Sequence, residues 1–140
     1  MRGSPQKPDG GMRAVDTNII VRYLTGDDPE QAEKVRALIG HEPVFVPRTV
    51  LLEVEWVLRG VYDLSSKQII PALRALAGLP GVFVEDTALV AKAMDWSDAG
   101  MDFADALHLA AATGCESFLT FDKRFARSGT RLAGVLVSAP

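Results

Sequence analysis

The side chains of this chain best suited to do chemistry are four carboxylates: Asp16, Glu53, Asp105 and Asp122. Asp16 follows the short strand Arg13-Ala14-Val15, and Asp122 follows Phe118-Leu119-Thr120-Phe121. A residue that ends a strand of a parallel sheet stands at the carboxyl edge, where such sheets receive their ligands. Taken singly, each would read as the cap of the helix or turn that follows it. Asp105 lies in the run Asp102 to Gly114, which is apolar nearly all round, with Asp102 as its cap. A carboxylate in such a helix needs a cation or a polar cleft. Glu53 and Glu55 share one helical stretch, and their neighbours separate them. Glu55 has Arg59 four residues on, the spacing of a surface ion pair, whereas Glu53 has Val57 there and Thr49 four before it. Glu53 is therefore the better site candidate. With no cysteine or histidine cluster among them, these hard oxygen donors suit Mg²⁺ or Mn²⁺ rather than zinc. Crowded carboxylates raise one another's pKa and are stable as anions only beside a cation. A divalent ion so held activates water and stabilises charge in an in-line phosphoryl displacement.

The elements that must position these groups alternate along the chain. Arg13 to Val15 is a strand and Asn18 to Leu24 a short helix; Asp28 caps a second helix with Pro29 at its first position and Gly40 at its stop. Pro43 to Val46 is a strand, Arg48 to Tyr62 has a helical apolar period, and Ser65 opens a helix to Gly78 with a kink expected at Pro71. Gly81 to Glu85 is a strand, Asp86 caps a helix towards Asp95, and Ser117 to Phe121 and Val135 to Val137 are strands. Strands alternating with helices of this length imply βαβ units, hence an α/β, three-layer α/β/α domain with a central, mostly parallel sheet. Residues 1–11 are polar and rich in Pro and Gly, and read as a leader or disordered tail; 12–140 reads as a single domain.

Composition narrows the function classes. The 140 residues are 48% hydrophobic and 24% charged with net charge −3, so no global basic field announces a polyanion partner, and any such binding is local. The single cysteine, Cys115, forms no internal disulfide. No secretory signal precedes the domain and no apolar run approaches the roughly 18 residues of a spanning helix, which points to a cytoplasmic setting and no membrane partner. A haloacid-dehalogenase phosphatase would need a second Asp two residues after the first, where this chain has Asn18. A phosphorylated receiver domain would need an early acidic pair and a downstream Lys motif, and neither is found. Neither a Gly-rich dinucleotide fingerprint nor a Walker lysine loop is present.

Val15-Asp16-Thr17-Asn18 after a first strand, Glu53 in a helix beginning after Pro47, the run Asp102-Phe103-Ala104-Asp105-Ala106-Leu107, and Thr120-Phe121-Asp122 closing a late strand together resemble the PIN-domain nucleases. Among them the chain is most similar to the VapC-type toxins of toxin–antitoxin pairs, over Met12 to Val137. The resemblance implies that Asp16, Glu53, Asp105 and Asp122 are the acidic metal-binding and catalytic quartet of an Mg²⁺- or Mn²⁺-dependent endoribonuclease. It implies cleavage by metal-activated water to 5′-phosphate and 3′-hydroxyl ends. Asp102 would be an auxiliary acid, with Thr17, Asn18 and Thr120 ordering the acidic pocket or meeting phosphate. It also implies an RNA substrate, a cognate antitoxin protein and a homodimer. The competing reading is a catalytically inactive PIN-fold module that binds RNA or protein.

Phosphate contacts are expected from Lys123, Arg124 and Arg127 after Asp122, with Arg22 and Arg48 as second choices. His108 reads as a core histidine, Cys115 as a small buried hydrophobe, and Trp56, Tyr62 and Trp96 as core or subunit-contact residues.

Overall fold

In the computed structural model, which describes residues 11–140, the chain forms two compact units, the first ending at Ala88 and the second beginning at Leu89. Ten of the eleven residues read as a leader lie outside the described residues. The first unit holds β1 (Arg13–Ala14), α1 (Thr17–Thr25), α2 (Pro29–Leu38), β2 (Val44–Val46), α3 (Arg48–Gly60), α4 (Ser66–Ala77) and β3 (Val82–Val84). The second holds most of α5 (Thr87–Asp98), then α6 (Phe103–Ala111), β4 (Ser117–Leu119), α7 (Lys123–Ala133) and β5 (Leu136–Ser138).

The α/β class with parallel strands is what the structure has. In the first unit the sheet order is β1-β2-β3, with Ala14 opposite Phe45 and Phe45 opposite Phe83. In the second, β4 pairs with β5, Phe118 opposite Val137. All these pairings are parallel. The alternation of strands and helices does not itself fix how many sheets the strands form, and the described ladders make two. Parallel pairing obliges each strand to return through a helix, and the sequence supplies the starts and stops. Asp28 accepts a hydrogen bond from the Gln31 amide at 3.1 Å with Pro29 behind it, and α1 ends on Gly26 at φ +66°, a conformation glycine adopts at no steric cost. Ser65 and Gln68 form a capping box that opens α4. That helix continues unbroken through Pro71.

In the first unit α1 packs on α2 and α3, and α3 on α4, so that Ile20, Val21, Leu51, Val54, Leu58, Ile69 and Leu73 are buried together with the strand valines Val44, Val46, Val82 and Val84. Tyr62, half-buried, donates its hydroxyl to Asp27, fastening the end of α3 to the turn after α1. In the second unit α7 packs on β5 and α6. The Phe118 and Phe125 rings meet at 5.2 Å, tilted by 54°, and Thr130 Oγ1 accepts from the Val137 amide at 3.1 Å.

Several side chains lie elsewhere than the sequence suggested. His108 is exposed, because it stands on the side of α6 opposite Phe103, Ala106 and Ala110, which are buried. Cys115 is exposed in the turn beyond the end of α6, and Trp56 is exposed on α3, which rules out the core half of its reading and leaves the subunit-contact half untouched. Asp86 takes a left-handed conformation, φ +51°, and its carboxylate meets Arg48 Nη1 at 3.1 Å. Glu55 is no surface residue. Its side chain is only 4% exposed, and the Arg59 guanidinium donates to both its oxygens, at 2.9 and 3.1 Å. The sequence reading left the segment after Asp122 as a helix or turn and did not delimit α7.

Two packing predictions follow from these contacts. Removing the Arg59 guanidinium leaves the buried Glu55 carboxylate short of donors, so Arg59→Ala should cost about 1–3 kcal/mol in urea unfolding; a loss no larger than that of a solvated pair would contradict the burial. At Gly129 an added Cβ would stand 2.7 Å from Val137 Cγ2 and 3.2 Å from Leu109 Cδ2. Ala gains about 1 kcal/mol of helix propensity over Gly, but overpacking costs about 1–3 kcal/mol. Gly129→Ala should therefore lower the unfolding midpoint, and a higher midpoint would show that β5 yields freely.

Candidate active site

In the first unit, parallel pairing sends every strand towards the same edge. Asp16 follows β1 by two residues, Arg48 follows β2 and Glu85 follows β3, so all emerge at the carboxyl end of the sheet. Asp16 is exposed and is the cap of α1, its Oδ1 accepting from the Thr17 amide at 2.7 Å and its carbonyl from the Ile19 amide at 3.1 Å. Only one oxygen is so engaged, which leaves the second carboxylate oxygen to face solvent or a cation. Thr17 is buried, and its Oγ1 finds no hydrogen-bond partner among the described residues. Asn18 is exposed on the same first turn of α1. Glu53 is exposed in the second turn of α3.

In the second unit two acids act on a third. Asp102 caps α6 and accepts from the Asp105 amide at 3.1 Å. Asp122 caps α7 and accepts from the Phe125 amide at 3.0 Å. The orientation of Asp122 is set from behind: its own amide donates to Thr120 Oγ1 at 3.0 Å, and the Thr120 amide is held by the Ser138 carbonyl at 2.9 Å. Half-buried Asp105 bears the consequence. Partial burial raises its carboxyl above the ordinary carboxylate range, and the charges of Asp102 and then Asp122 raise it further against the opposing pull of His108. An acid pushed up in this way by desolvation and by like charges is in the state that a bound cation relieves.

Of the expected acids, Asp16 and Glu53 lie in the first unit and Asp102, Asp105 and Asp122 in the second. Among the described residues, no group of three or more His, Cys, Asp or Glu side chains stands ready to hold a metal ion. The donors nonetheless fit a hard divalent cation in kind: they are carboxylate oxygens, with a buried hydroxyl beside Asp16 that has no hydrogen-bond partner among the described residues.

The cations divide clearly. Arg48 is spoken for by Glu85, whose Oε1 also takes the Arg48 amide at 2.9 Å, and by Asp86. Arg22 donates to Gln31 at 2.8 Å and to Asp27 at 3.1 Å. Lys123, Arg124 and Arg127 are exposed on α7, with no ion-pair partner among the described residues. In sequence Glu85 and Asp86, at the rim of the first sheet, were read only as a strand end and a helix cap, and the extent of α7 was missed. Asp122 followed by Phe125, Gly129 and Leu132 at helical spacing, with Gly134 beyond, was the signal available for α7.

No helix among the described residues is long and apolar enough to cross a membrane. Among curated proteins nothing matches the chain. Among solved structures it is similar to the crystal structure of Mycobacterium tuberculosis VapC20, a sarcin-ricin loop cleaving toxin, at 20% identity and a TM-score of 0.38, covering 84% of this chain and 95% of that one. The family model of the PIN domain matches residues 13–130, a span that takes in both sheets' first strands and every acid described above. The chain belongs to the PIN domain family.

Proposed function

We propose that this chain is a divalent-metal-dependent endoribonuclease of the VapC toxin type, with Asp16, Glu53, Asp105 and Asp122 as its acidic ligands and Asp102 as an auxiliary acid. The observation that carries the reading is the crowding of half-buried Asp105 by the Asp102 and Asp122 carboxylates within a PIN-domain chain: burial and two like charges raise its carboxyl, a pressure that a bound cation relieves. Mg²⁺ or Mn²⁺ bound there would supply activated water and charge stabilisation at the scissile phosphate. The chain's own residues do the positioning. Thr120 fixes Asp122 through its amide, the α1 and α7 caps hold one oxygen of Asp16 and of Asp122 each and leave the other for a ligand, and Thr17 brings a hydroxyl with no internal partner to the foot of Asp16. An RNA substrate, a cognate antitoxin and a homodimer in the cytoplasm are further parts of the same proposal, as is a single nuclease domain over residues 12–140.

Purified chain given Mg²⁺ or Mn²⁺ should cut end-labelled structured RNA to 5′-phosphate and 3′-hydroxyl products. Asp16→Asn and Asp105→Asn should each lower the rate by several orders of magnitude with an unchanged circular dichroism spectrum. Cutting at the wild-type rate by either variant, or in EDTA, would end the proposal.

The pH dependence is a separate check. Because the folded-state pKa of Asp105 is raised, its neutral form is the one the fold favours. That contribution is present below the unfolded-state value and is lost as pH rises through the folded one. In EDTA at neutral pH, Asp105→Asn should therefore melt at or above the wild-type temperature, with the gap closing under acid conditions. Mg²⁺ should raise the wild-type melting point more than that of the variant. A variant that melts lower at neutral pH in EDTA would mean that the ionised carboxylate is a structural asset.

A further inference from the structure

Charge along the second unit is sorted by position. From Asp95 to Asp122 the chain carries Asp95, Asp98, Asp102, Asp105, Glu116 and Asp122 and no Lys or Arg; from Lys123 to Pro140 it carries Lys123, Arg124, Arg127 and Arg131 and no Asp or Glu. The change of sign falls at the start of α7. At 100° per residue the four cations fall within about 100° of the helix circumference, opposite buried Phe125 and Gly129, which face β4 and β5. Lys123, Arg127 and Arg131 succeed one another every fourth residue, so a cation recurs about every 6 Å along α7. All four side chains are exposed and none has a carboxylate partner among the described residues. Clustered unpaired cations repel, and the attachment of α7 does not use them: buried Phe125 and Gly129 and the Thr130 hydroxyl meet the neighbouring elements instead.

We infer that the exposed face of α7 is a phosphate-binding ridge for single-stranded RNA, with the ribose-phosphate backbone running along Lys123, Arg127 and Arg131, Arg124 beside them, towards Asp122 at the helix start. The complement is argued from charge. A row of cations at regular spacing matches a row of phosphates, and a polyanion is the partner whose affinity comes from such neutralisation. RNA is favoured over an acidic protein because the same helix begins at Asp122, so a strand held by the ridge is delivered to a proposed cleavage acid; to that extent the inference rests on the nuclease reading. Arg131 thereby joins the phosphate contacts, and Arg22 and Arg48 leave them, since both are committed to acceptors within the first unit.

The test measures fluorescence anisotropy of a labelled single-stranded RNA in EDTA, where no cleavage intervenes, across a salt series. Wild type is compared with Arg127→Gln/Arg131→Gln and with Lys123→Gln, substitutions at exposed positions that keep helix propensity. The slope of log affinity against log salt should shrink by about 0.7 for each side chain removed, the single-strand value for one phosphate contact, with the same ordering in both variants. A slope unchanged in both variants overturns the ridge, as does wild-type protein that fails to bind the RNA at low salt. If poly-glutamate binds and loses affinity in the variants while the RNA slope stays fixed, the occupant is an acidic protein and the inference is wrong. The two readings fail separately. Slopes that shrink in a protein that never cuts RNA with Mg²⁺ leave the ridge standing without the nuclease, and efficient cutting with unchanged slopes does the reverse.

Discussion

Parallel strand pairing is the constraint on which the rest depends. Strands that run the same way cannot be joined by a hairpin, so each must be followed by a helix that carries the chain back. Every such helix begins at the carboxyl edge of its sheet and needs its first amides satisfied. In this chain aspartate does that at β1 to α1 and at β4 to α7, through Asp16 and Asp122. At these two places the residue after the strand is thus an anion by structural need, each at the carboxyl edge of its own sheet, the edge where α/β proteins place their chemistry.

Capping and chemistry do not compete at these positions, because a cap uses one carboxylate oxygen. The cap geometry fixes the rotamer, and the second oxygen remains for a ligand. Asp105 is different. It is in the first turn of α6, its amide already taken by Asp102, and its own carboxylate gains from the helix dipole while suffering burial and two like charges. The pressure on that group is what a cation would relieve, and α7 answers it on the other side of Asp122 with four exposed cations of its own.

How much of this was legible in the sequence follows from how local each signal is. Asp28-Pro29, Ser65 with Gln68, and the alternation of strands and helices were readable because caps and periods act within a few residues. Asp16 and Asp122 were readable from their places after strands, and Asp105 from the contradiction of a carboxylate within an apolar helix. Helix α7 escaped because its apolar side is only a few residues wide and is outnumbered by Arg, Ser and Thr. Glu55 was misjudged because the spacing to Arg59 is the same on a surface and in a core; its depth depends on how α3 packs, which no spacing records. The exposure of His108 and Cys115 depended likewise on which side of α6 was covered and on where that helix ended.

Divalent-cation binding by Asp16, Glu53, Asp105 and Asp122, as proposed, is tested most directly by paramagnetic broadening of backbone amide signals by Mn²⁺ at substoichiometric concentration. The amides at and next to these four residues should broaden first and together, and Mg²⁺ in excess should restore them. Broadening confined to other acids, such as Glu85 and Asp86, or spread evenly over the exposed carboxylates, would contradict the proposal.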